Sequence, residues 1–199
     1  MGLALSIIVM ALGVGLLAGG GLGGLARLRL HALPLLLAAL TIQLLAALSA
    51  GMGAGYYPTG LAVSAVLACW FAVRNRAVAG VPLIAAGLLL NALVVVANGK
   101  MPVSAAAAAR AGVPVQELVA SNDPRHLVTG EAVRLSVLGE VIPVPLPYHR
   151  EVDSIGDLLL AAGLGLLVLS GTLRTPAARS GRRWDKMPRM DVVGADEMR

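Results

Sequence analysis

Five apolar stretches alternate with shorter polar or glycine-rich segments along the chain. Each stretch comes close to the roughly 20 apolar residues that an α-helix needs to cross a lipid bilayer. The predicted spans cover about residues 3–25, 33–48, 58–73, 79–97 and 154–173. Between the last two lies the polar segment, residues 98–153, the one long run too polar for lipid. The pattern predicts an all-α membrane protein, a bundle of five transmembrane helices with a structured extracytoplasmic loop between helices 4 and 5.

Composition supports the membrane assignment. Hydrophobic residues make up 57% of the 199 residues and charged residues only 14%, whereas charged residues are about a quarter of a soluble domain. The mean hydropathy is +0.81. A net charge of +5 would suit a nucleic-acid-binding protein, but the arginines cluster beside the apolar stretches, where membrane topology explains them. We therefore expect contact with the lipid bilayer and no nucleic-acid partner.

The distribution of basic residues predicts the orientation. Eleven of them follow the first, third and fifth spans, whereas five are spread over the long polar segment. Because basic residues concentrate on the cytoplasmic side, we expect a multi-pass protein of the cell membrane with an extracytoplasmic N-terminus and a cytoplasmic C-terminus. Residues 1–173 would form the bundle. Residues 174–199 lack apolar periodicity, and this basic tail is predicted to be disordered and to touch anionic lipid.

Glycines recur at four-residue spacing in the first span, at Gly15, Gly19 and Gly23. On one continuous helix they would form a smooth stripe that lets another helix approach closely in lipid, either within the chain or in a partner. The run GGGLGG is also typical of a turn, so a helix that ends before these glycines is the alternative.

Local signals within the polar segment predict several short elements. Ser104 can cap an Ala-rich helix that ends near Gly112, and Pro114 can open another helix through Val119. Apolar and polar residues alternate over residues 133–137, which predicts a strand. Prolines at alternate positions exclude a regular helix from residues 141–147 and predict extended chain. We expect the segment to fold back over the bundle and partly seal its outer mouth.

Polar residues near the outer ends of the last two spans form the candidate site. Ser154 and Asp157 have the spacing in which a serine caps a helix and the acid meets the positive end of its dipole. Asn91 and Asn98 are seven residues apart and therefore share one helix face. Because the fourth span ends and the fifth begins on the same side, Asn98 and Asp157 should lie near the same depth. We predict that these two residues form a polar cluster beneath the polar segment, with Asn91 as a further member and Glu140 nearby. The cluster would either hold that segment in place or bind a lipid headgroup or small polar ligand.

Metal and catalytic motifs are not apparent. His126 follows Asp123 at three residues, and His149, Glu151 and Asp153 alternate, but neither set closes a ligand shell. The chain has no serine nucleophile elbow, no phosphate-binding glycine loop and no His-Glu helix motif. We therefore predict no metal and no cofactor, and we assign no residue a catalytic role.

Three motifs carry a resemblance: NGKMPV after the fourth span, LGEVIPVPLP in the polar segment, and SIGDLLL at the start of the fifth. Together they resemble the signature of a family of uncharacterised bacterial integral membrane proteins, defined as a domain of unknown function. The resemblance covers about residues 1–173. Here the first motif is one residue shorter than in that family, and Glu140 stands where the family has Asp. It implies a membrane bundle and brings no known activity, cofactor or substrate.

Two functions remain open at this stage. The first is a non-enzymatic accessory or scaffold module that presents its extracytoplasmic loop and packs its glycine-rich helix against a second copy or another membrane protein. The alternative is a small carrier or lipid-modifying enzyme with a polar site around Asn91, Asn98, Glu140 and Asp157. The sequence shows no inverted repeat of the kind that many carriers contain. A water-filled cavity lined by carboxylates would favour the alternative, and a bundle filled with side chains would favour the first.

Overall fold

The computed structural model describes residues 2–53, 55–114, 123–130 and 132–174. Within them the chain forms seven α-helices: Gly2–Leu17 (α1), Leu22–Leu25 (α2), Leu33–Leu48 (α3), Tyr56–Arg74 (α4), Val81–Asn98 (α5), Ala105–Ala111 (α6) and Ile155–Thr172 (α7). The helices α4, α5 and α7 are long and apolar enough to cross a membrane. The apolar helices α1 and α3 are shorter, with 16 residues each. The protein is therefore mostly helical with three candidate membrane spans, which is less than the five predicted.

The long helices lie side by side in a row. In that row α1 packs on α7, α7 on α5, α5 on α4, and α4 on α3. The two end helices, α1 and α3, share no extensive interface, so the row does not close into a ring. Gly87 of α5 faces the backbone of Gly156 on α7, and Gly60 of α4 faces Ala46 on α3, with no room for a Cβ at either glycine. Small residues thus let neighbouring backbones approach closely, as is usual between helices in lipid.

The predicted glycine stripe is wrong, because the first span is not one continuous helix. Helix α1 ends at Leu17, and Gly19 has a φ of 85°, in the left-handed region that interrupts a helix. Gly23 belongs to the separate helix α2, and added Cβ atoms at Gly19 and Gly23 would meet nothing within 4 Å. Gly15 alone of the three packs closely, against the side chain of Thr172 at the end of α7. The chain turns at Gly19, as the alternative predicts, whereas Gly15 remains within α1.

Residues 18–32 then cross the C-terminal end of α7 and close that end of the row. The Gly21 N–H donates to the Thr172 carbonyl at 2.9 Å. Further along, the Asn75 side chain donates to the His31 carbonyl at 2.9 Å and accepts the His31 N–H at 2.8 Å. Leucines of this crossing pack on a buried apolar cluster that includes Phe71. The crossing therefore covers the C-terminal end of α7.

At the opposite end of the row the polar segment contains two small sheets, so the all-α prediction is wrong in this part. The strands are Met101–Val103 (β1), His126–Val128 (β2), Ile142–Leu146 (β3) and His149–Asp153 (β4). Strand β1 pairs with β2 in parallel, and β3 pairs with β4 in an antiparallel hairpin. Extended structure over the alternating prolines, as predicted, provides β3. Pairing of distant residues such as 101 and 126 has no local sequence signal, which is why the parallel sheet was missed.

Short-range predictions in the polar segment have mixed outcomes. The Ser104 side chain accepts the Ala107 N–H at the start of α6, and Gly112 ends that helix with a left-handed φ of 73°, as predicted. The predicted strand at residues 133–137 is wrong, since Leu135 has a φ of 54° and residues 136–138 form a 3-10 turn. There the Asn98 side chain occupies the backbone groups of residue 134 that a strand partner would need. The predicted helix at 114–119 and the basic tail lie outside the described residues, apart from their first residue.

Candidate functional site

A cavity of about 610 Å³ lies between the helix row and the polar segment. Helices α3, α4, α5 and α7 supply apolar lining residues, among them Leu61, Ala65, Leu88 and Leu160, and an equal number of residues with polar groups. The polar segment supplies most of the charged and polar lining. Pockets of this volume are large enough for a small organic ligand. The cavity is therefore the candidate site, with these apolar residues on the helix side and most of the charged residues on the other.

One edge of the cavity is a closed hydrogen-bond network around the start of α7. Asn91 Nδ2 donates to Asp157 Oδ1 at 2.8 Å, and the Ser154 N–H donates to Asp157 Oδ2 at 2.9 Å. The Ser154 hydroxyl accepts the Asp157 N–H at 3.0 Å and has Asn91 Oδ1 at 2.8 Å as an acceptor. Gly156 makes this approach feasible, because a Cβ there would collide with the Asn91 side chain. The predicted serine cap is present, and the structure brings Asn91 and Asp157 into direct contact.

Asn98 lies apart from this network. Its side chain donates to the Arg134 carbonyl and accepts the Arg134 N–H, both at 2.8 Å, and it also donates to the Val94 carbonyl. It does not line the cavity. Asn98 therefore fastens residue 134 of the polar segment to the end of α5, and the structure does not bring it together with Asp157.

Glu140 lines the cavity but is already paired. Its Oε1 lies 3.2 Å from His126 Nε2, and His126 Nδ1 lies 2.8 Å from Asp123 Oδ2. Burial lowers the pKa of His126, but the hydrogen bonds and charges of Glu140 and Asp123 outweigh burial and raise it. Burial likewise raises the pKa of Asp123, and hydrogen bonds from Arg125 and His126 bring it well below its usual range. Together with Arg125, which pairs with Asp123, these side chains form one connected chain of polar contacts.

Glu151 of β4 caps the N-terminal end of α1 with its carboxylate. Its carboxylate accepts the Gly2 N–H at 2.9 Å and the Leu3 N–H at 2.5 Å, two of the unpaired donors at the helix N-terminus. Burial raises the pKa of Glu151, but the hydrogen bonds from this N-terminus lower it by more than burial raises it, so the net shift is downward. The His149 ring also lies near, with Nε2 3.4 Å from Glu151 Oε2. Glu151 thus joins the polar segment to α1.

Asp153 is the residue that the sequence reasoning undervalued. It lies at the end of β4, lines the cavity and is 6% exposed, and its Oδ2 has no hydrogen-bond partner among the described residues. Burial, together with the charges of Glu151 and Asp157, raises the pKa of Asp153 to about 6. The sequence placed it only in the alternating set His149, Glu151 and Asp153, considered for metal binding. That alternation was the available signal, since it puts Asp153 on the same strand face as Glu151.

The chemistry of the cavity is that of a binding site for hydrogen-bond donors. In the part of the chain that the structure describes, no three His, Cys, Asp or Glu side chains are placed to hold a metal ion. An ionised Asp153 offers an unused acceptor beside other carboxylates, so the site favours a donor or a cation and disfavours an anion. Gly15, Gly19 and Gly23 do not line the cavity.

Comparison with known proteins gives one match. The model of a family of unknown function, DUF5317, matches residues 27–169, well over half of the chain. This range includes every residue that lines the cavity and leaves out α1. No curated protein and no solved structure matches the chain.

Proposed function

The chain belongs to the DUF5317 family, whose function is unknown, and from its cavity we propose that it is a five-span membrane protein that binds a small polar ligand. The site would lie on the extracytoplasmic side, beneath the polar segment. A carrier or a lipid-modifying enzyme would both need such a site, and we assign no catalytic residue.

Five spans are proposed because α1 and α3 lie beside helices of spanning length. Helix α1 packs along α7 and helix α3 along α4, so they share the depth of those two candidate spans. At 16 residues they are roughly 24 Å long, against an apolar bilayer thickness of about 30 Å, a mismatch that local thinning of the bilayer accommodates. The basic residues then place the N-terminus outside the cell and the C-terminus in the cytoplasm.

A single observation carries the binding proposal, which is the cavity with the unpartnered Asp153 in its wall. Buried polar groups in folded proteins are almost always hydrogen-bonded, and a buried carboxylate without a partner is costly. Asn91, Ser154 and Asp157 satisfy one another, as a purely structural cluster would. Asp153 Oδ2 lacks a partner among the described residues although it lines a cavity with room for a ligand. A bound ligand would supply that partner.

The scaffold alternative has weaker support. It depended on a free stripe at Gly15, Gly19 and Gly23, but Gly15 packs on Thr172 of the same chain and the other two lie outside α1. A second copy or another membrane protein as partner remains a prediction. Contact of the basic tail with anionic lipid also remains one, since residues 175–199 lie outside the described residues.

Native mass spectrometry of the protein, released gently from its own membrane, tests the binding proposal. We expect a discrete small-molecule adduct on the natural protein. Ala47 lines the cavity, so Ala47→Phe should remove the adduct, whereas Leu44→Phe on the same helix should keep it because Leu44 is exposed on the outer surface. A stoichiometric polypeptide partner without any adduct would favour the scaffold alternative and overturn the proposal.

A further inference from the structure

We propose that the ligand is an amphiphile with a primary ammonium headgroup, which pairs with Asp153, and an apolar chain, which lies along the helix wall of the cavity. This inference rests on the proposed function, since it names the ligand class of the same cavity.

Charge pairing within the cavity leaves one carboxylate for a ligand. The other acids that line it have partners, namely His126 for Glu140, the N-terminus of α1 for Glu151, and Asn91 with the N-terminus of α7 for Asp157. Arg125, which also lines the cavity, is paired with Asp123. Asp153 therefore offers a negative charge that no described side chain neutralises by contact.

The cationic residue nearest in sequence does not serve Asp153. Arg150 is an exposed residue of β4, and its guanidinium donates to the Gly112 carbonyl at 3.4 Å. Arg150 also lines the cavity, but it is three positions from Asp153 along β4, so the two side chains leave the strand on opposite faces. No described side chain makes an ion pair or hydrogen bond with Asp153 Oδ2, so a cationic ligand would supply that contact.

A compact organic cation fits this acceptor better than a metal ion. Metal ions such as Ca²⁺ require several oxygen ligands around one point, and within the described residues no group of three suitable side chains exists. An ammonium group needs only one carboxylate for a charge-assisted hydrogen bond, and its remaining N–H donors can bond to water. Anionic headgroups are disfavoured, because Glu151 and Asp157 already raise the negative potential at Asp153.

The apolar wall argues for a chain on the ligand. Below the carboxylates, the lining residues Ala47, Leu61, Ala65, Leu88 and Leu160 come from four helices of the row. Two polar residues among the helix lining, Ser64 and Gln43, are hydrogen-bonded to each other. A small hydrophilic cation would leave that wall in contact with water, whereas an alkyl chain would cover it at roughly 25 cal/mol per Å². The row does not close between α1 and α3. The alkyl chain of an amphiphile that is dissolved in the membrane would lie at the same depth as these apolar lining residues.

Three probes separate the two parts of the ligand. Octylammonium carries the charge and the chain, octanol carries only the chain, and ethylammonium carries the charge with a minimal chain. Binding is measured at pH 7.5 by calorimetry on the full chain in phosphatidylcholine nanodiscs, with empty nanodiscs subtracted. We expect octylammonium to bind at least tenfold more tightly than either of the other probes.

Variants of the cavity carboxylate test its role in this binding. Asp153→Asn should weaken octylammonium binding at least tenfold, and Asp153→Glu, which retains the charge, should keep more of it than Asp153→Asn. As a control, Ser170→Ala removes a polar group of α7 that does not line the cavity and bonds to the Leu167 carbonyl, and we expect binding to change less than threefold.

Each departure from these results overturns a defined part of the inference. Octanol that binds as tightly as octylammonium, or a full-affinity Asp153→Asn variant, would exclude the charge pair. Ethylammonium that binds as tightly would exclude the amphiphile and indicate a water-soluble amine. An adduct that Ala47→Phe removes, combined with no octylammonium binding, would refute the ammonium ligand while the proposed function stands. Absence of both would refute the two together.

Discussion

The two ends of α7 have opposite construction. At the C-terminal end Thr172 is fully buried and its hydroxyl donates within its own helix. Gly15 and Gly20, near the start of the chain, pack closely against it. The N-terminal end borders the cavity with a satisfied network at Asp157 and an unsatisfied carboxylate at Asp153. Close backbone packing needs no polar partner, so the first end can be closed by small residues alone. Polar groups are concentrated at the second end, and one of them, Asp153 Oδ2, has no hydrogen-bond partner among the described residues.

The largest effect should come from filling the glycine contact at the closed end. A Cβ at Gly24 would collide with the Gly171 carbonyl, which is backbone and cannot rotate away, whereas a Cβ at Gly23 would meet nothing within 4 Å. We expect Gly24→Ala to lower the free energy of unfolding by about 3 kcal/mol, as overpacking does. Gly23→Ala should leave it nearly unchanged. Thermal unfolding in detergent checks both variants, and equal melting temperatures would contradict the close packing of this end.

An intermediate effect should follow from breaking the network at the other end. Asp157→Ala leaves Asn91 and Ser154 without their acceptor, which costs about 2 kcal/mol. Because Ser154 directly follows β4, we expect the polar segment to loosen and trypsin to cut at Arg110 or Arg125 roughly tenfold faster. Ser170→Ala is the matched control, since Ser170 bonds only within α7. Unchanged cleavage in Asp157→Ala would count against a role of the network in holding the segment.

The smallest effect concerns the pH dependence of stability at Asp153. Its pKa is raised from 3.8 to about 6 in the folded protein, so its contribution to stability is most favourable below pH 4 and is lost as the pH rises through 6. Asp153→Asn removes the cost of an ionised carboxylate at this position, although the buried amide still lacks a partner. We therefore expect the free energy of unfolding to rise by about 1 kcal/mol at pH 8 and to stay unchanged at pH 4. Melting temperatures across this range provide the measurement. A variant that is equally stabilised at both pH values would show that ionisation is not the cause.

Local signals in the sequence were reliable where few neighbouring residues decide the structure. The serine caps at Ser104 and Ser154, the left-handed Gly112 and the extended proline run all follow from groups within eight residues of each other. The failures have a common cause. Leu135 turns because Asn98, more than thirty residues earlier, holds residue 134, and the first span breaks at Gly19 because its following residues bond to the end of α7.

The sequence by itself determined a mostly helical protein with long apolar helices and the start of its last helix, because periodicity and capping spacing are properties of short segments. It predicted Asn98 and Asn91 as neighbours of Asp157, and of these two only Asn91 contacts it. Only the tertiary structure decided that Asp153 Oδ2 has no hydrogen-bond partner among the described residues. Whether a carboxylate is paired depends on every group that folding brings near it, and here those groups come from β4, α7 and the N-terminus of α1. Glu151, two residues away, accepts hydrogen bonds from the N-terminus of α1, whereas Asp153 faces the cavity.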